Sequence, residues 1–193
     1  MTARERILDA AVKLIAREGI DDVRIARIAM AAGVSASLLH YHFESREALL
    51  AEALEHSYEI IGNARISVPE NEPAPAGRRL RAMIDQCLPL DDELRDDWVL
   101  WVELWLRAVR HPELRPTAAR LYERMHKWMA QGIRAGAEAG EFSRDADPDR
   151  LTDRLLALID GYGVRALCED PQMPVERARD EVWAAMAPEL GLD

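Results

Sequence analysis

The chain has 193 residues, 49% hydrophobic and 31% charged, with a net charge of −10; that length buries a real core in one or two domains but is short for a multi-step enzyme. No run of about 18 apolar residues occurs, and the N-terminus MTARERILDAA lacks the apolar stretch of a secretory signal. A cytoplasmic protein is expected. Cys87 and Cys168 stand 81 residues apart inside apolar helical patterns, with no CxxC and no histidine at zinc spacing, so both are expected to be buried free thiols.

The acidic balance argues at first against a nucleic-acid partner, because phosphate binding needs local positive charge. The charge is unevenly spread, however. Residues 1–50 hold seven Lys/Arg and seven Asp/Glu and are neutral, which leaves 18 basic and 28 acidic side chains, and the whole deficit, in residues 51–193. Two electrostatically different parts are expected, 1–50 and 51–193.

Apolar residues recur at helical spacing almost throughout, and no alternating runs bounded by turn residues occur, so the chain reads as all-α. A capping box, Thr2-Ala-Arg-Glu5, opens the first helix; Ile7, Ala11, Leu14 and Ile15 give it an apolar face, and Gly19 stops it with Ile20 folding back. A short helix over about 24–32 and another ending near His42 flank Gly33-Val34-Ser35. Ala29, then Gly33, then Leu39 have the spacing of a helix-turn-helix, in which alanine permits close crossing, glycine takes the turn and leucine anchors the second helix. A long fourth helix runs from about 46 to 67, and SVPENEPAPAG (67–77) reads as a loop. Further helices are expected at about 77–88, 92–110, 117–139, 148–168 and 175–187, punctuated by Pro89, Pro112, Pro116, Gly140, Pro148 and Pro171.

The segment GVSASLLHYHF (33–43) carries His40 and His42 around Tyr41. Two histidines at i, i+2 on a helix point in different directions, whereas helical zinc motifs use i, i+4. No serine or cysteine nucleophile with an orienting carboxylate stands near them, and five scattered histidines show no convergent constellation, so neither an enzyme nor a bound metal or cofactor is expected. DNA recognition fits better: His40 and Tyr41 offer hydrogen bonds to base edges or phosphates while Leu39 and Phe43 hold the helix down.

Ile28-Ala29, Ala32-Gly33-Val34-Ser35, LLHYHF, Arg46 and Leu49-Leu50 together resemble the N-terminal domain of TetR-family transcriptional regulators. The resemblance implies that Ser35, Ser37, Tyr41 and Arg46 contact phosphates, that Ala36, His40 and Ser37 face base edges, and that Arg24 holds a further phosphate; His42 is read as a packing residue. Leu38, His40, Ala36 and Ser37 depart from the family's usual residues, so the operator sequence does not follow. With so few basic side chains per head, two heads should be needed, with recognition helices roughly 34–36 Å apart. The family pattern maps a homodimer interface onto about 117–139 and 148–168. There Leu121, Met125, Trp128, Met129 and Ile133 form one stripe and Leu151, Leu155, Leu158, Ile159 and Tyr162 another. Gly132, Gly136 and Gly140 recur every four residues. Each interior glycine costs a helix about 1 kcal/mol relative to alanine, which close backbone approach at the dimer seam, or plain packing within one chain, would offset.

In DDELRDDWVLWVELWLRAVR (91–110), five acids lead into a helix apolar nearly all round, expected to run through the centre of its domain. Trp98, Trp101 and Trp105 lie at i, i+3, i+7, as core or as a pocket wall. Glu103 in the same run either pairs with Arg107 four residues on or joins the tryptophans around a cationic ligand, whose charge indole faces attract. The WxxWxExW pattern followed by His111-Pro112-Glu113-Leu114-Arg115 resembles the C-terminal domain of the betaine-regulator type of the family. It implies a small organic effector, such as a quaternary amine or polyamine; a hydrophobic effector is the alternative. The expectation is thus a helix-turn-helix DNA-binding domain (1–50) and a larger helical ligand-binding and dimerisation domain (51–193), forming a homodimeric repressor of a palindromic operator released by effector. A constitutive DNA-binding protein without effector is the rival reading, and a metal-dependent enzyme a more distant one.

Overall fold

The computed structural model describes residues 1–66, 74–145 and 147–192, and every regular element among them is a helix. In chain order these are α1 (Ala3–Glu18), α2 (Ile25–Ala31), α3 (Ala36–His42), α4 (Arg46–Ile66), α5 (Ala76–Asp85), α6 (Asp92–Arg110), α7 (Arg115–Glu138), α8 (Pro148–Leu167) and α9 (Val175–Met186), with 3-10 turns at Pro112–Leu114 and Pro188–Leu190. No described helix is long and apolar enough to cross a membrane. Most of the proline-rich stretch expected as a loop, 67–73, lies outside the described residues. Pro116 does not delay α7 as expected. It sits in the first turn, where a missing N–H deprives the helix of nothing.

The capping box forms as expected: the Thr2 hydroxyl accepts from Glu5 N–H at 3.2 Å and the Glu5 carboxylate accepts from Thr2 N–H at 2.7 Å. Gly19 ends α1 at φ +76°, its N–H donating to Ile15 O at 2.8 Å, and Ile20 turns inward and is buried. Ile7, Leu8, Ala11 and Ile15 bury one face of α1, which packs on α4 and on both short helices. Polar ties secure the α1–α4 pair at its edge: Arg4 to Glu52, and His56 to Asp9 at 2.7 Å.

By its packing the chain divides into two compact units, Met1–Ile66 with Asp96–Leu121, and Ser67–Arg95 with Tyr122–Asp193. The expected boundary at residue 50 falls inside α4, so the whole of that helix, most of α6 and the start of α7 group with the head. In this first unit Ser57 of α4 donates to Asp97 of α6 at 2.5 Å, and Arg120 of α7 donates to Glu55 of α4 at 2.6 Å.

In the second unit α8 lies along α9, and α9 also meets α5. Of the stripes expected at a dimer seam, Met129, Ile133, Leu151, Leu155 and Ile159 are buried within one chain, as Leu121 is in the first unit, while Met125, Trp128, Leu158 and Tyr162 are only part-buried. The glycines of α7 have the same explanation. A Cβ on Gly132 would lie 2.7 Å from Met83 Sδ, and one on Gly136 would overlap the Phe142 ring and come within 3.0 Å of Ala76 Cβ, while Gly140 ends the helix at φ +74°. Gly132 and Gly136 admit α5 and Phe142 within the chain. Cys87 is buried as expected, but Cys168 caps the exposed end of α8.

Gly136→Ala should therefore cost about 1–3 kcal/mol through overpacking, whereas Gly161→Ala, at a site with nothing within 4 Å, should raise stability by up to about 1 kcal/mol from helix propensity. Denaturant unfolding of the two variants beside the parent checks the opposite signs.

Candidate functional site

α3 begins where the Ser35 hydroxyl accepts from Leu38 N–H at 3.1 Å, and Gly33 turns the chain at φ +66°, with Val34 N–H donating back to Ala29 O at 2.9 Å. Leu39 and the following Phe43 are buried, only 1% and 2% exposed. On the other side Ser35, Ala36, Ser37, His40 and Tyr41 are all exposed, Tyr41 to 83%. The structure thus brings five sequence-expected contact residues onto one open surface. His42 is half-buried, its ring set edge-on 5.4 Å from that of Tyr41, in line with a packing role. Met30 of α2 is 74% exposed beside this unit and escaped the sequence reading; its signal was an apolar residue off the register of Ile28 and Ala29.

The basic residues of the head divide by task. Arg4 and Arg27 pair with Glu52 and Glu18, and Arg6 donates to Ala32 O at 3.1 Å. Arg46, expected at a phosphate, is half-buried and donates to Ile20 O and Asp21 O at 3.2 and 2.9 Å. It ties the α1–α2 turn to the start of α4. Lys13, Arg17 and Arg24 are exposed and form no ion pair among the described residues; Arg24 stands at the entrance of α2.

On α6 the three tryptophans meet ring to ring: Trp98 and Trp105 stand 6.1 Å apart edge to face, Trp101 and Trp105 5.9 Å apart, with Trp98 and Trp101 buried. Glu103 does not join them. Five residues beyond Trp98 and two before Trp105, it lies about 140–160° round the helix from both. Its Oε2 is instead 3.8 Å from Arg107 Nε, and its Oε1 sits 3.2 Å from where a Cβ on Gly19 would stand. The carboxylate on the tryptophan side is Asp97, 7% exposed, accepting from the Ser57 hydroxyl at 2.5 Å. Sequence reasoning absorbed Asp97 into the acidic helix start. The available signal was its i, i+4 relation to Trp101. Nor is α6 buried all round: Leu106 and Val109 are 52% and 75% exposed.

In the second unit, Tyr122, Glu123 and His126 of α7 and Asp153, Leu156, Ala157 and Asp160 of α8 line an open groove of about 400 Å³. Tyr122 donates to Asp160 at 2.5 Å. Burial pushes the Asp160 carboxyl above the ordinary carboxylate range, with the tyrosine hydroxyl opposing it, while burial and that carboxylate push the Tyr122 hydroxyl well above the usual tyrosine range. His126 stands 3.2 Å from Asp153. No group of three metal-ligating side chains occurs among the described residues.

Two family models match the chain: "Bacterial regulatory proteins, tetR family" over residues 7–53, and "BetI-type transcriptional repressor, C-terminal" over 76–189. A transcriptional regulator of Saccharomonospora viridis, solved in complex with choline, is 36% identical, with 93% of each chain covered and a TM-score of 0.83. A TetR-family regulator from Rhodococcus sp. is 31% identical over 97% of this chain and 98% of its own, with a TM-score of 0.84. Among curated relatives, the HTH-type transcriptional regulator BetI of Rhizobium meliloti is 25% identical over 90% of this chain and 82% of its own length. UidR of Escherichia coli K12 is 26% identical over 95% and 90%.

Exposure separates Tyr41 from Arg46 in a measurable way. Tyr41→Ala should leave unfolding free energy within about 0.5 kcal/mol of the parent, whereas Arg46→Ala, which strips two backbone carbonyls of their donor, should cost about 1–3 kcal/mol. Urea unfolding of both variants distinguishes them.

Proposed function

The chain belongs to the TetR family of bacterial regulatory proteins and is a transcriptional regulator, and from that premise we propose that it is a homodimeric repressor released from a palindromic operator by a small organic cation. The observation that carries the operator reading is the sidedness of α3. A helix anchored by buried Leu39 and Phe43 offers Ser35, Ala36, Ser37, His40 and Tyr41 outward. Ala36, Ser37 and His40 face base edges, while Ser35, Tyr41 and Arg24 meet phosphates. Arg46 acts from behind, fixing the turn and α4 against each other.

The effector reading rests on the tryptophan side of α6 and on the choline held by the 36%-identical relative. Indole faces attract an ammonium group, and a buried carboxylate beside them supplies the countercharge that a cation leaving water requires. Trp98, Trp101 and Trp105 with Asp97 fill these roles; Glu103 is on the wrong side of the helix. The effector acts only if it binds the operator-incompetent arrangement more tightly, each 1.4 kcal/mol of preference shifting the balance about tenfold.

The second copy docks along α7 and α8. The exposed side of α8 supports this: Ala157 and Gly161 leave it low, and space beside Gly161 is open. Gly161→Arg should convert the dimer to monomer in sedimentation analysis and reduce operator binding with it; a dimer of parental strength would move the interface elsewhere.

Operator binding is tested with duplexes from beside the protein's own gene at two salt concentrations. Specific binding by a dimer that weakens with salt is expected, with Tyr41→Ala about tenfold weaker. Choline should release the parent but not Trp101→Ala or Asp97→Asn, both of which keep operator affinity. The opposite ranking would assign the tryptophans to the core alone.

A further inference from the structure

α6 carries a second polar feature, on the side away from its tryptophans. Arg107 is 9% exposed. Its Nη2 donates to Asp21 Oδ1 at 2.5 Å, its Nη1 to Glu47 Oε1 at 3.3 Å, and its Nε lies 3.8 Å from Glu103 Oε2. These carboxylates come from three places: Asp21 from the α1–α2 turn, Glu47 from the first turn of α4, and Glu103 from α6 itself. One guanidinium therefore joins α6 to both edges of the segment that contains α2 and α3.

The neighbourhood is built for a close fit. Arg46, next to Glu47, donates to the carbonyls of Ile20 and Asp21, so two arginines grip the same turn, one by its backbone and one by the Asp21 side chain. Gly19 opens that turn at φ +76° and leaves room for Glu103, whose carboxylate would stand 3.2 Å from any Cβ placed there. The partners are unequally covered: the Arg107 side chain is 11% exposed, that of Glu47 25% and that of Asp21 86%. Asp21 is open to water, so the burial cost falls on the arginine: taking its carboxylates away while it stays covered leaves an unpaired charge, the costly way to break such a pair. A contact of that kind favours the paired over the unpaired arrangement, as a latch does.

A buried ion pair is a poor source of net stability, because well-packed apolar residues often do as well; a better-attested use is to select one arrangement over others. Here the arrangement selected is the seat of the head on α6. We propose that Arg107 is a positioning residue that holds the head in its operator-competent placement, and that an effector on the opposite face of α6 acts by drawing Arg107 away from Asp21 and Glu47. The second clause rests on the effector reading above; the first does not.

The test uses the full-length protein and a duplex operator selected by the parent from a random pool, with affinity read by fluorescence anisotropy with and without choline chloride. Arg107→Met keeps the volume and removes the charge. It should weaken operator binding about tenfold and bring the ratio of affinities with and without choline close to one, with the helical circular dichroism unchanged. Asp21→Asn should weaken binding by about threefold in the parent and add nothing in the Arg107→Met background, the non-additivity expected of residues in one contact. Arg107→Lys should restore part of the affinity. A folded Arg107→Met with parental affinity and response, or losses that add, would overturn the proposal. If the parent ignores choline, the effector reading fails, and affinity and non-additivity alone decide the latch. Should Arg107→Met not fold, Asp21→Asn and Glu47→Gln carry the same test, and parental binding in both would overturn it.

Discussion

Helices α2 and α3 have seven residues each, and a peptide of that length is not helical in water, because nucleation fixes several residues for the first hydrogen bond. Everything the head does depends on how this deficit is met. The Ser35 cap supplies part of it, but most comes from tertiary anchoring, with Leu39 and Phe43 buried beneath α3 and Ile28 and Ala29 beneath α2. Because the inward residues are spent on anchoring, those left outward can be chosen for contact. An 83%-exposed tyrosine makes no sense as packing. The direction in which α3 faces is thus inherited from α1, whose capped start, glycine stop and buried face form the floor on which the short helices lie.

Electrostatics in the head follow the same economy. Of its seven basic residues, Arg4, Arg6, Arg27 and Arg46 are committed to partners within the chain. A surface with so few free cations on an acidic protein cannot hold DNA through charge alone, since nonspecific affinity grows with the number of phosphates neutralised. In the proposed dimer, geometry supplies the rest: two heads at a fixed spacing, each contributing a modest interface.

The sequence made much of this legible, and the reasons differ by residue. Helix limits were readable within a few residues because prolines, glycines and the Thr2–Glu5 box act locally. The residues of α3 were readable because a helix-turn-helix has fixed spacing, so Leu39 inward implies His40 and Tyr41 outward. What needed the fold was contact in three dimensions. Arg46 reads as a phosphate contact from its position, and only the fold brings the carbonyls of Ile20 and Asp21 to it. Gly132 and Gly136 read equally as a seam between copies or a seat for a neighbour, and only the placement of Met83 and Phe142 decides. Glu103 and Asp97 were misjudged for a simpler reason: proximity in sequence was allowed to stand for proximity on the helix, although two residues of separation carry a side chain most of the way to the opposite face.

That angular separation gives α6 its character. Residues about half a turn apart are nearly opposite, so one helix can present Trp98, Trp101 and Trp105 to one neighbourhood and Glu103 and Arg107 to another, with Asp97 between the two groups and nearest Trp101. Asp97 holds Ser57 in the body of α4, while Arg107 holds Glu47 at that helix's first turn and Asp21 in the α1–α2 turn. The Asp97 carboxylate and the Arg107 guanidinium are both buried, and both join α6 to α4, the helix that follows the reading helix α3. Apolar packing tolerates small slides because it has no preferred partner, but a carboxylate–hydroxyl bond and a guanidinium between carboxylates each have one geometry that satisfies them. Asp97 and Arg107 stand ten residues apart, about 15 Å along the helix, so α6 is fastened to α4 at two separate points, and a unit held by such contacts favours discrete arrangements over a continuum.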